Sequence, residues 1–149
     1  FNTKGKAKSV VKNYVAALNK GNAKKVLKLT DPYGAYVFAK LDKDEYDDFW
    51  EEYQEFIKSD DYDDYKDKYE EKLEDIDDLK DDLEDLMDDI TVKVKSIKEV
   101  KKVSKNLYKV KAKIEMKEDG DKSTKTRTFY VMKKGLSCYI VGGDMTGMI

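Results

Sequence analysis

The stretch DDYDDYKDKYEEKLEDIDDLKDDLEDLMDD, residues 60–89, holds the densest supply of groups that could do chemistry. So many carboxylates invite calcium. A helix-flanked calcium loop needs oxygen ligands at its positions 1, 3 and 5, a glycine at 6 and a glutamate at 12. Counted from Asp61, positions 5 and 6 are Tyr65 and Lys66 and position 12 is Lys72, so the pattern fails. Acids spaced along a helix also point outward one by one and do not converge on a single ion. The expectation is loose cation association, with no dedicated metal site and no cofactor.

Acid–base chemistry would need a carboxylate held in apolar surroundings, with a second titratable group beside it. Asp31 and Asp144 qualify only as acids outside the acidic block. Asp31 has a simpler task, closing a helix before Pro32, because the residue preceding proline avoids the helical region. Asp144 falls in the terminal GGDMTGMI. The chain has no histidine and one cysteine, which excludes the common zinc sites, an internal disulfide and histidine-based proton transfer. Cys138, in the strand-like LSCYIV, reads as a small buried hydrophobe rather than a reactive thiol. No catalytic residue is expected, and the chain reads as a non-enzyme.

Binding chemistry has more to work with. Tyr46, Phe49, Trp50, Tyr53, Phe56 and Ile57 recur at helical spacing and read as core packing against the next helix. Tyr62, Tyr65 and Tyr69 suit a half-exposed surface, apolar in body and polar at the tip, and are the expected interaction surface. Lys93, Lys95, Lys109, Lys111, Lys113, Lys125 and Arg127 form a basic strand face. Without interleaved aromatics to stack on bases, it does not predict nucleic-acid binding. Attraction to anionic cell-wall polymers, or to the acidic helices of a neighbour, remains open to it. Lysines on strands also discourage edge pairing.

These residues need elements to position them. KAKSVVKNYVAALNKGN predicts a helix through Val10 or Val11, Tyr14, Val15 and Leu18, stopped by NKGN. AKKVLKLTDPYG predicts a shorter one ending at Asp31-Pro32, and AYVFAKL is an apolar connector of undetermined form. After a break at KSDD, apolar residues from Tyr62 through Leu73, Ile76, Leu79, Leu83 and Leu86 to Ile90 form one seam with acids on the other faces. That rules out a disordered tail. A helix over 61–90 would be about 45 Å long, so its seam calls for a partner, and the aromatic helix before it is the nearest. From Thr91 the period becomes two. Tyr108, Val110, Ala112, Ile114 and Met116 share one strand face, Asp119-Gly120 makes a hairpin turn, and TKTRTFYVMKK and LSCYIVGG follow as strands. Helices first and then an antiparallel sheet spell α+β. One domain over 1–149 is expected, with N-terminal helices over 1–41, an acidic helical hairpin over 42–90, a four-stranded sheet over 91–142 and a tail over 143–149.

Charge is segregated along this order. Residues 1–41 carry nine lysines and one aspartate, residues 42–89 carry 25 acids and six lysines, and residues 90–149 carry fifteen basic residues and six acids. Net charges of +8, −19 and +9 leave only −2 overall, which points to a bipolar surface more than to a nucleic-acid binder. No apolar run approaches the ~20 residues of a membrane span. Because the chain opens on Phe1 rather than Met, a removed targeting segment is expected.

In element order, AKSVVKNYVAALNKGNAKKVLKLTD resembles the opening of the nuclear-transport-factor-2-like (cystatin-like α+β cone) superfamily, and TRTFYVMKKGLSCYIVGG resembles its closing hairpin. The resemblance spans roughly residues 5–32 and 90–142. Residues 43–89 look like an enlargement of the helical part, and Cys138-Tyr139 stands where look-alikes often place a tryptophan. In style the chain resembles lysine-rich surface lipoprotein-type domains of Gram-positive bacteria. The resemblance implies a cone-shaped pocket between helices and curved sheet, lined by Tyr14, Tyr33, Tyr36, Phe38, Tyr108 and Tyr130 and used by some members for small apolar ligands. It carries over no catalytic residue. The expectation is a non-catalytic extracellular binding module for a protein or small apolar ligand, with no nucleic acid, and touching a membrane only through a lipid or N-terminal anchor. Self-association as a homodimer through the acidic helix, and a small-molecule enzyme with a pocket carboxylate, are the rival readings.

Overall fold

A computed structural model describes residues 2–147; Phe1 and the last two tail residues, Met148 and Ile149, lie outside the described residues. The expected order, helices first and then a sheet, is what the chain adopts. Helix α1 (Thr3–Asn19) starts where the Asn2 side chain accepts the Gly5 N–H at 2.8 Å. It buries the expected stripe of Val10, Val11, Tyr14, Val15 and Leu18. Helix α2 (Ala23–Lys28) follows, capped by Asn22.

The apolar connector turns out to be a helix. α3 (Pro32–Ala39) begins on Asp31, so this aspartate opens a helix instead of closing the one before. Its Oδ1 accepts the N–H groups of Tyr33 at 3.0 Å and Gly34 at 2.9 Å. Pro32 at the first helical position has no N–H to satisfy. α3 lies flat on the last strand: a Cβ at Gly34 would come within 2.8 Å of Val141 Cγ1.

A 3₁₀ turn (Lys43–Asp48) leads into α4 (Phe49–Ile57). The single long acidic helix is then corrected to two, α5 (Asp60–Glu74) and α6 (Ile76–Leu86), parted at Asp75. The reason lies in the seam itself. Each three-residue step turns an apolar stripe back by about 60°. Two in succession, from Leu73 to Ile76 to Leu79, swing it by about 120°, too far for one flat partner. The tyrosine half therefore faces α3 and α4, and the leucine half faces α2 and the main core. The simple hairpin of α4 with one long rod is replaced by this divided packing.

Strands β1 (Ile90–Ser104), β2 (Leu107–Glu118), β3 (Asp121–Lys134) and β4 (Ser137–Gly143) form an antiparallel sheet in the order β1-β2-β3-β4. Asp119 and Gly120, both at positive φ, make the expected turn. Register shifts in β1 curl the sheet around the helices. One core joins α1, α2 and Leu83 of α6 to Val110, Ala112, Ile114, Phe129, Val131 and Ile140. A second, largely aromatic core joins Val37 and Phe38 of α3 and Phe49 and Tyr53 of α4 to Leu107, Met132 and Val141.

Two measurements probe this layout. Asp31→Ala should lower stability in urea unfolding by about 1–3 kcal/mol, because one buried and one part-buried N–H group lose their acceptor. Asp31→Asn should retain most of it; an equal loss in both variants would shift the weight from the cap to the charge. Alkali is the second probe. Burial pushes the phenols of Tyr14 and Tyr33 up to about 12. A raised pKa gives stability that is complete below the unfolded value near 10 and lost as pH climbs through the folded one. The urea midpoint should therefore fall between roughly pH 10 and 12, less steeply in Tyr14→Phe. Tyrosinate absorbance rising for all eleven tyrosines in the folded protein near pH 10 would contradict the burial argument.

Candidate functional site

Two concave sites of opposite chemistry flank the helix–sheet junction. The first is an apolar cavity of about 550 Å³. α2 supplies Val26 and Leu27, α3 supplies Pro32, Ala35 and Phe38, and β4 supplies Ile140 and Val141. Tyr14 contributes from α1, and its hydroxyl donates to the Met145 carbonyl at 3.1 Å. Across the opening stand Tyr65, Lys68, Tyr69 and Lys72 of α5, with Gly142, Gly143, Thr146 and Gly147 on the other lip. No carboxylate lines it among the described residues, although the chain has 32 acids.

The expected pocket residues separate in space. Tyr14 and Phe38 do line this cavity, while Tyr33 borders a shallower recess with Trp50 and Tyr53, and Tyr130 borders another with Tyr46 and Lys109. Tyr36 stacks on Phe56 at 4.7 Å and packs on Tyr65, and Tyr108 belongs to the main core. Sequence pattern missed Val26, Leu27, Ala35 and Ile140 as lining, because small or aliphatic residues in a short helix, a connector and a strand carry no mark of a cavity. Only the placement of α3 beside β4 leaves space between them.

Tyr62, Tyr65 and Tyr69 are half-buried and turn inward instead of standing on a projecting tip. All three rings lie 4.9–6.2 Å from that of Tyr33. Phe56 adds edge contacts to Tyr62 and Tyr65. Among the described residues the exposed large apolar side chains are Ile57, Leu73, Leu86 and Leu136.

The titratable candidates are occupied elsewhere. Asp31 is 6% exposed, with Oδ1 taken by two amides and Oδ2 3.6 Å from Lys134 Nζ. Desolvation pulls the Lys134 ammonium down, but Asp31 and the Tyr53 hydroxyl outweigh it and hold the group above its ordinary value. Asp144 is exposed and its Oδ2 accepts the Thr128 N–H at 2.9 Å. Cys138 is half-buried against the main core, a little more open than expected, and burial pushes its thiol up against the opposing pull of Lys6 and Lys133. A raised thiol pKa disfavours the nucleophilic thiolate. Asp42, Asp44 and Glu45 bring three exposed carboxylates within 4.8 Å of one another. Glu45 already accepts the Asp42 N–H at 2.9 Å, in a helix-starting arrangement.

The second site is an open groove of about 870 Å³ between α1 and β1. Lys93 and Lys95 of the expected basic face border it, joined by Lys8, Lys12, Lys20 and Lys117. Lys113 and Lys125 are exposed elsewhere, and Lys111 lies 3.7 Å from Glu99. The nine lysines of residues 1–41 were legible in the sequence, but which strand those on α1 lie beside was not.

No protein-family model matches the chain, and no curated protein matches it. Among solved structures it is similar to an NTF-2 like protein of unknown function from Shewanella oneidensis MR-1. That similarity has 16% identity and a TM-score of 0.47, covering 93% of this chain and 94% of that one. A likeness this loose carries no argument about what the chain does, and its α+β architecture stands on its own elements.

Proposed function

We propose that the chain is a non-catalytic module that binds a small apolar ligand in the cavity between α2, α3, α5 and β4. The observation that carries this is an apolar cavity of about 550 Å³ with no carboxylate among its described lining residues. Its size falls within the few-hundred to about 1,000 Å³ range of small-molecule sites. Lys68 and Lys72 stand one helical turn apart at the rim, which favours an amphiphile with an acidic head. A binding role without catalysis is supported by the engagement of Asp31 and Asp144 in backbone hydrogen bonds, neither being among the described lining residues.

A fluorescent fatty-acid probe tests the site. It should bind saturably at one equivalent with blue-shifted emission. Ala35→Phe or Ala39→Phe, which fill the space, should weaken binding at least ~10-fold, the latter from an exposed position that folding tolerates. Leu136→Ser, altering the most exposed leucine, should leave it unchanged. Equal weakening in all three variants would reveal mere surface adsorption and end the proposal.

An extracellular, surface-held address is part of this reading. It is supported by the resemblance of the lysine-rich pattern to surface lipoprotein-type domains; among the described residues no helix is long and apolar enough to cross a membrane. Externally added protease should degrade the protein on intact cells of its source. Complete protection until lysis would refute the address and leave the cavity unaffected.

A further inference from the structure

We propose that the groove between α1 and β1 is a binding site for a linear phosphate polyanion that carries no aromatic bases. Six lysines from three separate elements border it: Lys8, Lys12 and Lys20 on or at the end of α1, Lys93 and Lys95 on β1, and Lys117 on β2. All six are exposed. The one carboxylate among the groove's described lining residues, Glu115, is only 9% exposed and already has Lys122 Nζ at 2.7 Å. Its hydrogen bond with Lys122, opposed by burial, holds the carboxyl below its ordinary range. Six lysines thus border one groove with one internally neutralised acid among its described lining residues, in a chain whose net charge is −2. Their mutual repulsion is relieved by an anion bridging them.

Protection of a sheet edge explains part of this pattern, since β1 pairs only with β2 and lysines discourage further pairing. It does not explain Lys8, Lys12 and Lys20, which lie off the strand. Nor is the edge simply open where α1 ends, because the Val92 N–H donates to Asn19 Oδ1 at 2.9 Å.

The lining also selects among anions. Lysine offers compact point charges that suit a row of spaced phosphates, without the planar arginine fork that grips one carboxylate or phosphate group bidentately. Arg127, the chain's one arginine, is not part of the groove. Among the described residues no aromatic side chain lines it, so a nucleobase would find nothing there to stack on. An open trough accommodates a polymer passing through better than a single enclosed ion.

Calorimetry with inorganic polyphosphate tests the proposal. Binding should be saturable, and six phosphate contacts on a single strand imply a log–log salt slope of about −4. Affinity should then drop on the order of a few hundredfold between about 50 and 200 mM salt. The triple variant Lys12→Gln, Lys93→Gln, Lys95→Gln should lose at least ~10-fold at the lower salt. A charge-matched control, Lys101→Gln, Lys105→Gln, Lys125→Gln, should stay within about twofold, with both variants folded by circular dichroism. Equal losses in the two triples would overturn the site in favour of diffuse lysine attraction. Tighter binding of a single-stranded oligonucleotide with the same number of phosphates would overturn the exclusion of bases. Low-salt self-association that the groove triple abolishes, with no polyphosphate binding, would give the groove to the acidic helices of a second copy. Each outcome leaves the apolar cavity to be judged by its own probe.

Discussion

Between α2 and α3 the chain is stitched to the last strand at a single residue, Ile140. Its N–H donates to the Leu29 carbonyl at 2.8 Å, and its carbonyl accepts the Asp31 N–H at 3.2 Å. Thr30 thus forms a parallel bridge to β4, a short addition to an otherwise antiparallel sheet. Asp31 then turns this stitch into a helix start, placing its carboxylate under the first amides of α3. Buried amides without acceptors would each cost about 1–3 kcal/mol. Position and direction of α3 are therefore specified together. Since α3 presents Tyr33 and Tyr36 to α5, and Phe38 to Tyr46, Phe49 and Tyr130, both aromatic layers inherit that placement. So does one wall of the apolar cavity.

The acidic segment is fastened to this platform in an economical way. α5 has no fully buried residue, and α6 has only Leu83. Tyrosine rings do the fastening for α5. A tyrosine can cover an apolar neighbour with its ring while its hydroxyl stays near water, so it suits a helix whose remaining residues are mostly charged. The raised phenol pKa values of Tyr33, Tyr65 and Tyr69, due first to burial, are the electrostatic trace of that half-buried position. Beyond pH 10 the same rings become a weakness, because ionisation would place new negative charge among existing carboxylates.

Periodicity makes much of this legible in the sequence alone. The stripe from Val10 to Leu18, the alternation from Tyr108 to Met116 and the Asp119-Gly120 turn each depend on local geometry alone, and each is realised. Two elements resisted for different reasons. Asp31-Pro32 carries the marks of both a helix end and a helix start, since proline disfavours helix before it and favours the first turn after it. The tertiary bond to Ile140 decides between them. The break at Asp75 was written in the consecutive three-residue steps at Leu73, Ile76 and Leu79, but a seam counted only by its membership hides a change of phase. Site residues were less legible still. A cavity is a failure of two surfaces to meet, and no single strand or helix records it in its own pattern.

The two concave sites differ in what they exclude as much as in what they admit. Around the apolar cavity, α5 supplies Lys68 and Lys72 at the rim, yet the segment from residue 42 to 89 carries a net −19. A small amphiphile can use a local cation at close range. A polyanion would meet the repulsion of the acidic residues along most of its length, and salt screens that repulsion only beyond about 8–10 Å. The groove beside β1 presents the reverse: six bordering lysines and, among the described residues, no aromatic wall and one acid already paired. Under the two proposed roles, charge segregation along the sequence would become, in the fold, a sorting of ligands by size and charge, with a polymer directed to one face and a compact apolar molecule to the other. Such sorting would need no moving part, because it would follow from where the acidic helices are fastened.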